Sequence, residues 1–92
     1  MSLKIIVVGD TTDHGGKVIS GSLTHDIGGK AIARLGDEVD CPKHYPDNRP
    51  HGINKIITAH PTFTVGGVPV AVQDCETECG CKLIGSVSAT VG

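Results

Sequence analysis

The sequence predicts an all-β domain, because three of its features favour short strands over helices. Thirteen glycines and five prolines among 92 residues interrupt every window in which a helix of ten or more residues could form. Apolar and polar residues alternate over short runs, which is the period of a half-buried strand. Similar segments also recur along the chain, so we expect a repeated β unit.

Candidate strands follow one another along the whole chain, each bounded by glycine or by turn residues. They cover residues 3–9, 17–28, 30–36, 54–66, 68–74, 82–86 and 87–92. The Gly28-Gly29 and Gly66-Gly67 pairs are predicted to be tight hairpin turns, since glycine adopts positive φ at both central positions without steric cost. The strands that flank each pair should therefore form antiparallel hairpins.

The repeated unit occurs three times. Residues 22–33 align without gaps with residues 60–71, including their Gly-Gly turns. A third copy begins at Ser86 and is truncated, so that Val91-Gly92 take the place of Ile27-Gly28. Three related copies predict a pseudo-threefold arrangement of β-hairpins.

Side chains that can bind metal also recur with the repeat. A turn with such a side chain followed by glycine is found at His14, His51 and Cys79. Cys41 follows an apolar-Gly-Asp run as His14 does, so Cys41 is predicted to lie where His14 lies. Two thiolates and two imidazoles are a common zinc set, and a closed four-ligand shell is structural, without a position for catalytic water.

Two neighbouring residues compete for places in this shell. His44, three residues after Cys41, could replace Cys41 or His51, and a set of three imidazoles and one thiolate is chemically as good. Cys81 could replace Cys79. The other histidines and the remaining cysteine are predicted to be surface or packing residues: His25, His60 and Cys75.

Four cysteines could instead form two disulfides in an oxidising compartment. The spacing disfavours this, because Cys79 and Cys81 are two residues apart and such close neighbours rarely bridge each other. The apolar run that ends at Gly9 is too short for a signal peptide or a membrane span. We therefore expect the chain to fold in a reducing cytosol, where thiols stay free or bind metal.

Composition and motifs disfavour several function classes. The net charge is -2, basic residues are not clustered and aromatic residues are scarce, which disfavours a nucleic-acid partner. The chain has no nucleophile elbow and no P-loop, so we expect no enzyme. Asp10 and Asp37 recur at turn positions, where a carboxylate caps the backbone.

Three parts of the chain resemble the signatures of the proline-alanine-alanine-arginine (PAAR) repeat family. Residues 9–22 resemble the first signature, and residues 28–42 resemble the eponymous repeat followed by Cys-Pro. Residues 66–74 and 78–86 resemble the second repeat and the closing motif. The resemblance covers essentially the whole chain, residues 1–92, which we interpret as a single domain without extension domains.

The resemblance implies a small cone-shaped, pseudo-threefold arrangement of β-hairpins with a zinc near the apex. It implies a structural spike-tip protein, one per trimer, that caps the trimeric valine-glycine repeat spike of a type VI secretion system and sharpens it for membrane puncture. Effectors would attach non-covalently, and neither nucleic acid nor a stable membrane anchor would be involved. Such a tip is cytoplasmic before assembly and is then delivered outside the cell or into a target cell.

The broad base of the cone is expected to meet the spike through apolar strand residues: Ile5, Val7, Ile32, Val70 and Val91. The alternative is a small zinc-binding β domain that acts as a metalloenzyme or as a redox or zinc-sensing module. An open metal position would favour the enzyme, whereas ready metal exchange or reversible oxidation of Cys79 and Cys81 would favour the module.

Overall fold

The structure is a computed structural model that describes residues 3–13, 15–44, 47 and 50–91, with side chains at all of these except 43, 44, 50, 51 and 91. The described residues contain strands and turns and no helix, so the all-β prediction is confirmed. The strands are β1 (Leu3–Lys4), β2 (Thr11–Thr12), β3 (Lys17–Val18), β4 (Asp26–Ile27), β5 (Lys30–Ala31), β6 (Glu38–His44), β7 (Pro50–Lys55), β8 (Thr64–Val65), β9 (Val68–Pro69), β10 (Leu83–Ile84) and β11 (Thr90–Val91).

Each predicted strand contains an observed one, but the two longest observed strands were poorly predicted. β6 lies outside every predicted strand, and β7 begins four residues before the predicted strand that starts at Asn54. Both strands contain residues that are depleted in sheets, namely Asp40, Pro42, Pro50 and Gly52. Their pairing with each other, rather than their local composition, therefore determines that they are strands.

Both predicted Gly-Gly hairpins are confirmed. β4 pairs with β5 across Gly28 and Gly29, whose φ angles are 60° and 84°. β8 pairs with β9 across Gly66 and Gly67, at 59° and 82°. Positive φ at both central positions is the type I′ pattern, which matches the twist of the flanking strands.

A third antiparallel strand pair, without a connecting turn, is formed by the two ends of the described chain, and we count it with the two Gly-Gly hairpins as the three hairpins. β11 pairs with β1, with Val91 opposite Leu3 and Thr90 opposite Lys4. Ile27 lies opposite Lys30 in the same way. The prediction that Val91 takes the place of Ile27 is therefore confirmed, and β1 supplies the partner strand that the truncated copy lacks.

The three copies meet at three central segments, residues 5–7, 32–34 and 70–72. Each segment pairs with the other two through single β-bridges. Their middle residues form a closed ring of backbone hydrogen bonds: Ile6 N donates to Ala71 O (3.0 Å), Ala71 N to Ala33 O (3.0 Å) and Ala33 N to Ile6 O (2.9 Å). This ring marks the pseudo-threefold axis that the repeats predict.

The five-stranded sheet also closes on itself. Its strands lie in the order β10, β2, β3, β6, β7. Beyond β7, Ile56 pairs with Thr77, and Glu76 pairs with Lys82, the residue before β10. The sheet therefore has no unpaired outer strand within the described residues, which removes the edges that invite aggregation.

The hydrophobic core lies on both faces of the central segments. Because neighbouring residues of an extended chain point to opposite faces, the middle residues pack into one cluster and their apolar neighbours, except Val72, pack into another. The sheet cluster lies inside the closed sheet: Ile6, Val18, Ala33, Val39, Ile56, Ala71, Val72, Cys75 and Leu83. The hairpin cluster lies against the three hairpins: Ile5, Val7, Ile32, Val65 and Val70.

This packing corrects the prediction that the base residues meet a partner. Ile5, Val7, Ile32 and Val70 are buried in the hairpin cluster, so their side chains are not available to a partner. The side chain of Val91 lies outside the described part of the structure. The three hairpins and their exposed flanks therefore form this end of the domain, which we call the hairpin end.

The turn-capping prediction for the two aspartates is confirmed. Asp10 Oδ2 accepts a hydrogen bond from Val7 N (3.0 Å), and Asp37 Oδ2 accepts one from Arg34 N (2.6 Å). Cys75 lies four residues after Ala71, as Asp10 does after Ile6 and Asp37 after Ala33, and its N–H donates to Val72 O (3.1 Å). Cys75 belongs to the sheet cluster, as predicted for a small packing residue.

Asp74 is expected to strain this third turn. Its φ is 73°, whereas glycine holds the corresponding positions, Gly9 at 97° and Gly36 at 88°. Left-handed backbone costs an L-residue roughly 1–2 kcal/mol, and aspartate tolerates it better than most. We expect Asp74→Gly to raise the free energy of unfolding by up to about 1 kcal/mol in urea titrations. Gly36→Ala is the reverse control and should lower the free energy of unfolding. The added Cβ has open space around it, so the cost comes from the positive φ of the backbone.

Candidate metal centre

A tight turn brings two cysteines together at the end of the closed sheet. Gly80, at φ 86°, donates its N–H to Thr77 O (2.9 Å), and Thr77 N donates to Cys81 O (3.0 Å). Cys79 and Cys81 thus lie on either side of a bend rather than along a straight strand. The first copy folds in the same way, with Gly15 N donating to Thr12 O (3.0 Å) and Thr12 N to Gly16 O (3.1 Å).

The third cysteine comes from the long hairpin of the second copy. Cys41 lies on β6 opposite Gly52, two residues after the fully buried Val39. Side chains two residues apart on a strand share a face, so Cys41 continues the inward face of the closed sheet. The β6–β7 hairpin, which the sequence analysis missed as paired strands, is therefore the element that positions this thiol.

The three sulfur atoms form a compact cluster. The distance between the Sγ atoms of Cys41 and Cys81 is 3.2 Å, and that between Cys79 and Cys81 is 3.0 Å. All three lie within 4.8 Å of one another. Cys41 and Cys81 are 2% and 0% exposed, and Cys79 is partly exposed. We call Cys41, Cys79 and Cys81 the thiol cluster, and the end of the domain that holds it the cysteine end.

The neighbouring thiols of Cys79 and Cys81 differ in pKa. Burial opposes ionisation of Cys79, but hydrogen bonds with the Thr77 hydroxyl (3.3 Å) and with the Cys81 thiol bring the pKa of Cys79 below its ordinary value. Burial, together with the neighbouring Cys79 and Cys41 sulfurs, raises the pKa of Cys81 to about 12. Cys81 therefore keeps its proton at neutral pH unless a cation offsets the charge of its thiolate.

The donor set fits a metal ion. Thiolates at about 2.3 Å from a tetrahedral zinc lie roughly 3.8 Å apart, so the sulfur distances of 3.2 and 3.0 Å need to open by only about 0.6–0.8 Å. Binding would release the thiol protons and join β6 to the turn at Gly80. The described residues therefore contain a site that can hold a metal through three sulfur atoms.

The structure brings two of the four predicted ligands, Cys41 and Cys79, into one cluster. His14 lies outside the described residues, and His51 is described only by its backbone in β7. The ligand roles of both histidines stay predictions, as does the rival role of His44, which is likewise described only by its backbone in β6.

Cys81 enters the sequence prediction only as an alternative to Cys79, yet it lies between Cys79 and Cys41. The signal was present in the Cys-Gly-Cys spacing, because a glycine at positive φ bends the chain and keeps both thiols on one side. Repeat comparison could not find Cys81, since the corresponding residue of the first copy is Gly16.

The two histidines of the predicted strands, His25 and His60, are not members of the thiol cluster. Both form hydrogen bonds with residues close to them in sequence. His60 Nδ1 accepts hydrogen bonds from the N–H groups of Thr62 (3.2 Å) and Phe63 (3.0 Å). Ser22 Oγ has the same role in the first copy, accepting from Thr24 N and His25 N (both 3.1 Å). His60 is therefore a turn cap, which agrees with a surface or packing role.

The described part of the chain contains neither an enclosed pocket nor a membrane-spanning helix. No cavity that could enclose a small organic substrate is found there. None of its segments is a helix with the length and apolar character needed to cross a bilayer.

Comparison with known protein families gives a single assignment. The family model described as the PAAR motif matches residues 8–85 of the 92-residue chain. The chain belongs to the PAAR family. The PAAR match extends from the residue before Gly9 to the one after β10 and includes all three cysteines of the thiol cluster. No curated protein matches the chain. The PAAR family is a structural family associated with the spike tip of type VI secretion systems.

Proposed function

We propose that this protein is a spike tip that caps the trimeric valine-glycine repeat spike of a type VI secretion system, one tip per trimer. The observation that carries the proposal is the closed hydrogen-bond ring of Ile6, Ala33 and Ala71, which gives one chain a pseudo-threefold axis. A single chain with three similar hairpins at one end can match the threefold end of a trimer and cover its exposed strand edges.

The hairpin end is the surface that we propose docks on the spike. Leu23, next to β4, is 99% exposed, and Phe63, next to β8, is also exposed. Both lie in the segments that lead into the Gly-Gly hairpins, Leu23 aligning with Pro61 and Phe63 with His25 in the repeat. Apolar side chains at such places can bury against a partner, and burial of this kind is the main driving force of association.

We further propose that the cysteine end holds zinc and forms the pointed end of the assembled spike. Among the described residues, the core contains no side chain larger than isoleucine or leucine, so a metal cross-link would compensate for its small apolar area. The ligands would be drawn from His14, Cys41, His51 and Cys79, with Cys81 beside them. A rigid end that is closed by a metal suits membrane puncture. Effectors would attach to the tip non-covalently and travel with it when it is delivered from the cytoplasm.

The docking proposal predicts a one-to-three complex with a trimeric spike protein, measured by native mass spectrometry. Leu23→Asp should weaken this complex at least about tenfold in Kd, which corresponds to roughly 1.4 kcal/mol. Ile53→Asp is the matched control, since Ile53 is 53% exposed on β7, the strand that pairs with Cys41. Absence of the complex, or equal weakening by both variants, would contradict docking through the hairpin end.

A zinc-sensing or redox module is the second candidate, and the thiol cluster is the observation that favours it. Two of its three sulfurs are almost fully buried, however, which slows exchange and oxidation. The two candidates differ in metal exchange: a spike tip should retain its zinc against a chromophoric chelator for hours, whereas a sensor should release it within minutes.

A further inference from the structure

We infer that all three cysteines of the thiol cluster bind the metal together, so that the site is a three-thiolate site selective for soft metal ions. This inference rests on the proposed metal site of the spike tip and specifies its ligands. It differs from the sequence-based set of two thiolates and two imidazoles, in which Cys79 and Cys81 are alternatives.

The geometry places Cys81 at the centre of the cluster. Its Sγ atom is 3.2 Å from that of Cys41 and 3.0 Å from that of Cys79. A metal ion bound by Cys41 and Cys79 would therefore lie within bonding reach of Cys81 as well. A protonated Cys81 could donate its single S–H group to only one of these two sulfurs, whereas a shared metal ion would bind all three.

The turn at Gly80 explains how neighbouring cysteines can both be ligands. The positive φ of Gly80 and the hydrogen bond from Thr77 N to Cys81 O fold the segment so that both sulfurs point to one side. Thr77 Oγ1 lies 3.3 Å from Cys79 Sγ and can donate to a thiolate there. Hydrogen bonds of this kind orient ligands and offset part of their negative charge.

The coordination number of the metal then limits how many histidines can be ligands. A four-coordinate ion with three thiolates has one position left, so only one of His14 and His51 can be a ligand. Three thiolates also change metal preference, because soft sulfur donors select thiophilic ions over ions that prefer nitrogen or oxygen. We expect cadmium to compete with zinc at this site more effectively than at a site of mixed imidazoles and thiolates.

The test is a count of sulfur ligands on the intact protein. X-ray absorption of the zinc-loaded wild type should show three sulfur neighbours at about 2.3 Å. Cobalt substitution gives a second count, since the thiolate-to-cobalt charge-transfer absorption per bound cobalt ion should fall by about a third in Cys81→Ser. Cys75→Ser is the matched control, because Cys75 is buried outside the cluster and should leave the absorption unchanged.

The outcomes separate this inference from the proposed function. Two sulfur neighbours, or unchanged cobalt absorption in Cys81→Ser, would overturn the three-thiolate site while leaving a metal-bound spike tip intact. Loss of metal in both His14→Ala and His51→Ala, with affinity unchanged in Cys81→Ser, would overturn it in the same way. A wild type that binds no metal would overturn both. Three sulfurs, with metal lost in only one histidine variant, would support the inference.

Discussion

Replacement of Cys41 by serine is expected to release the metal and to lower the thermal midpoint steeply. Cys41 is the only member of the thiol cluster on β6, so its loss disconnects the long hairpin from the turn at Gly80. Structural zinc contributes about 10–16 kcal/mol of binding free energy in zinc fingers. A chain of this length has a total stability of only about 5–14 kcal/mol. We therefore expect Cys41→Ser to be largely unfolded at 37 °C, as measured by circular dichroism and zinc content.

Chelation and a matched cysteine variant provide the controls. Removal of zinc from the wild type should reproduce the effect of Cys41→Ser, and so should Cys79→Ser and one of the two variants His14→Ala and His51→Ala. Cys75→Ser buries a hydroxyl in the sheet cluster and should destabilise by only about 1–3 kcal/mol, with zinc retained. A metal-loaded wild type whose midpoint does not change on chelation would rule out a structural metal.

The hairpins could be predicted because their chemistry is local. Glycine pairs at residues 28–29 and 66–67 specify the turn type without reference to the rest of the chain, and the aspartate caps follow from side chains that reach their own backbone. Repetition then extends these assignments to β11, whereas its partner β1, from the opposite end of the sequence, is identified by the fold. Local signals and internal symmetry together were sufficient for the pseudo-threefold plan.

The long hairpin and the burial of the predicted base residues could not be predicted for physical reasons. β6 and β7 contain poor strand formers, and they are strands because they pair with each other rather than because of their local composition. Ile5, Ile6 and Val7 form a continuous apolar run that is buried on both faces, so alternation cannot show which face is exposed. The base prediction failed because it treated these residues as half-buried.

The composition of the metal site was partly predictable. Cys41 and Cys79 were found because they follow the repeat, whereas the role of Cys81 depends on the bend at Gly80. Sequence spacing gives the order of the cysteines but not the direction of their side chains. Three sulfurs at one point therefore became evident only from the fold.

Ile6→Ala is expected to have the second largest effect, about 2–5 kcal/mol of lost stability in urea titrations. Ile6 is fully buried at the pseudo-threefold axis, and its partners in the hydrogen-bond ring are two alanines, Ala33 and Ala71. Ile6 thus supplies most of the side-chain volume at the centre of the core, and its truncation leaves a cavity that small neighbours cannot fill. Ile57→Ala is the matched control and should cost less than about 1 kcal/mol, because Ile57 is 52% exposed.

The pseudo-symmetry makes a rescue variant possible. Ile6, Ala33 and Ala71 hold corresponding positions around one axis, so the double variant Ile6→Ala/Ala33→Ile moves the large side chain to another position of the same ring. Volume-conserving exchanges in a core usually cost less than about 1.5 kcal/mol. The double variant should therefore be more stable than Ile6→Ala alone, although Ala33→Ile alone overpacks the axis. The free-energy changes of the two single variants would simply add if the side chains at the three positions did not pack in one shared space. That result would mean that the symmetry of the backbone hydrogen bonds is not matched by the packing of the side chains.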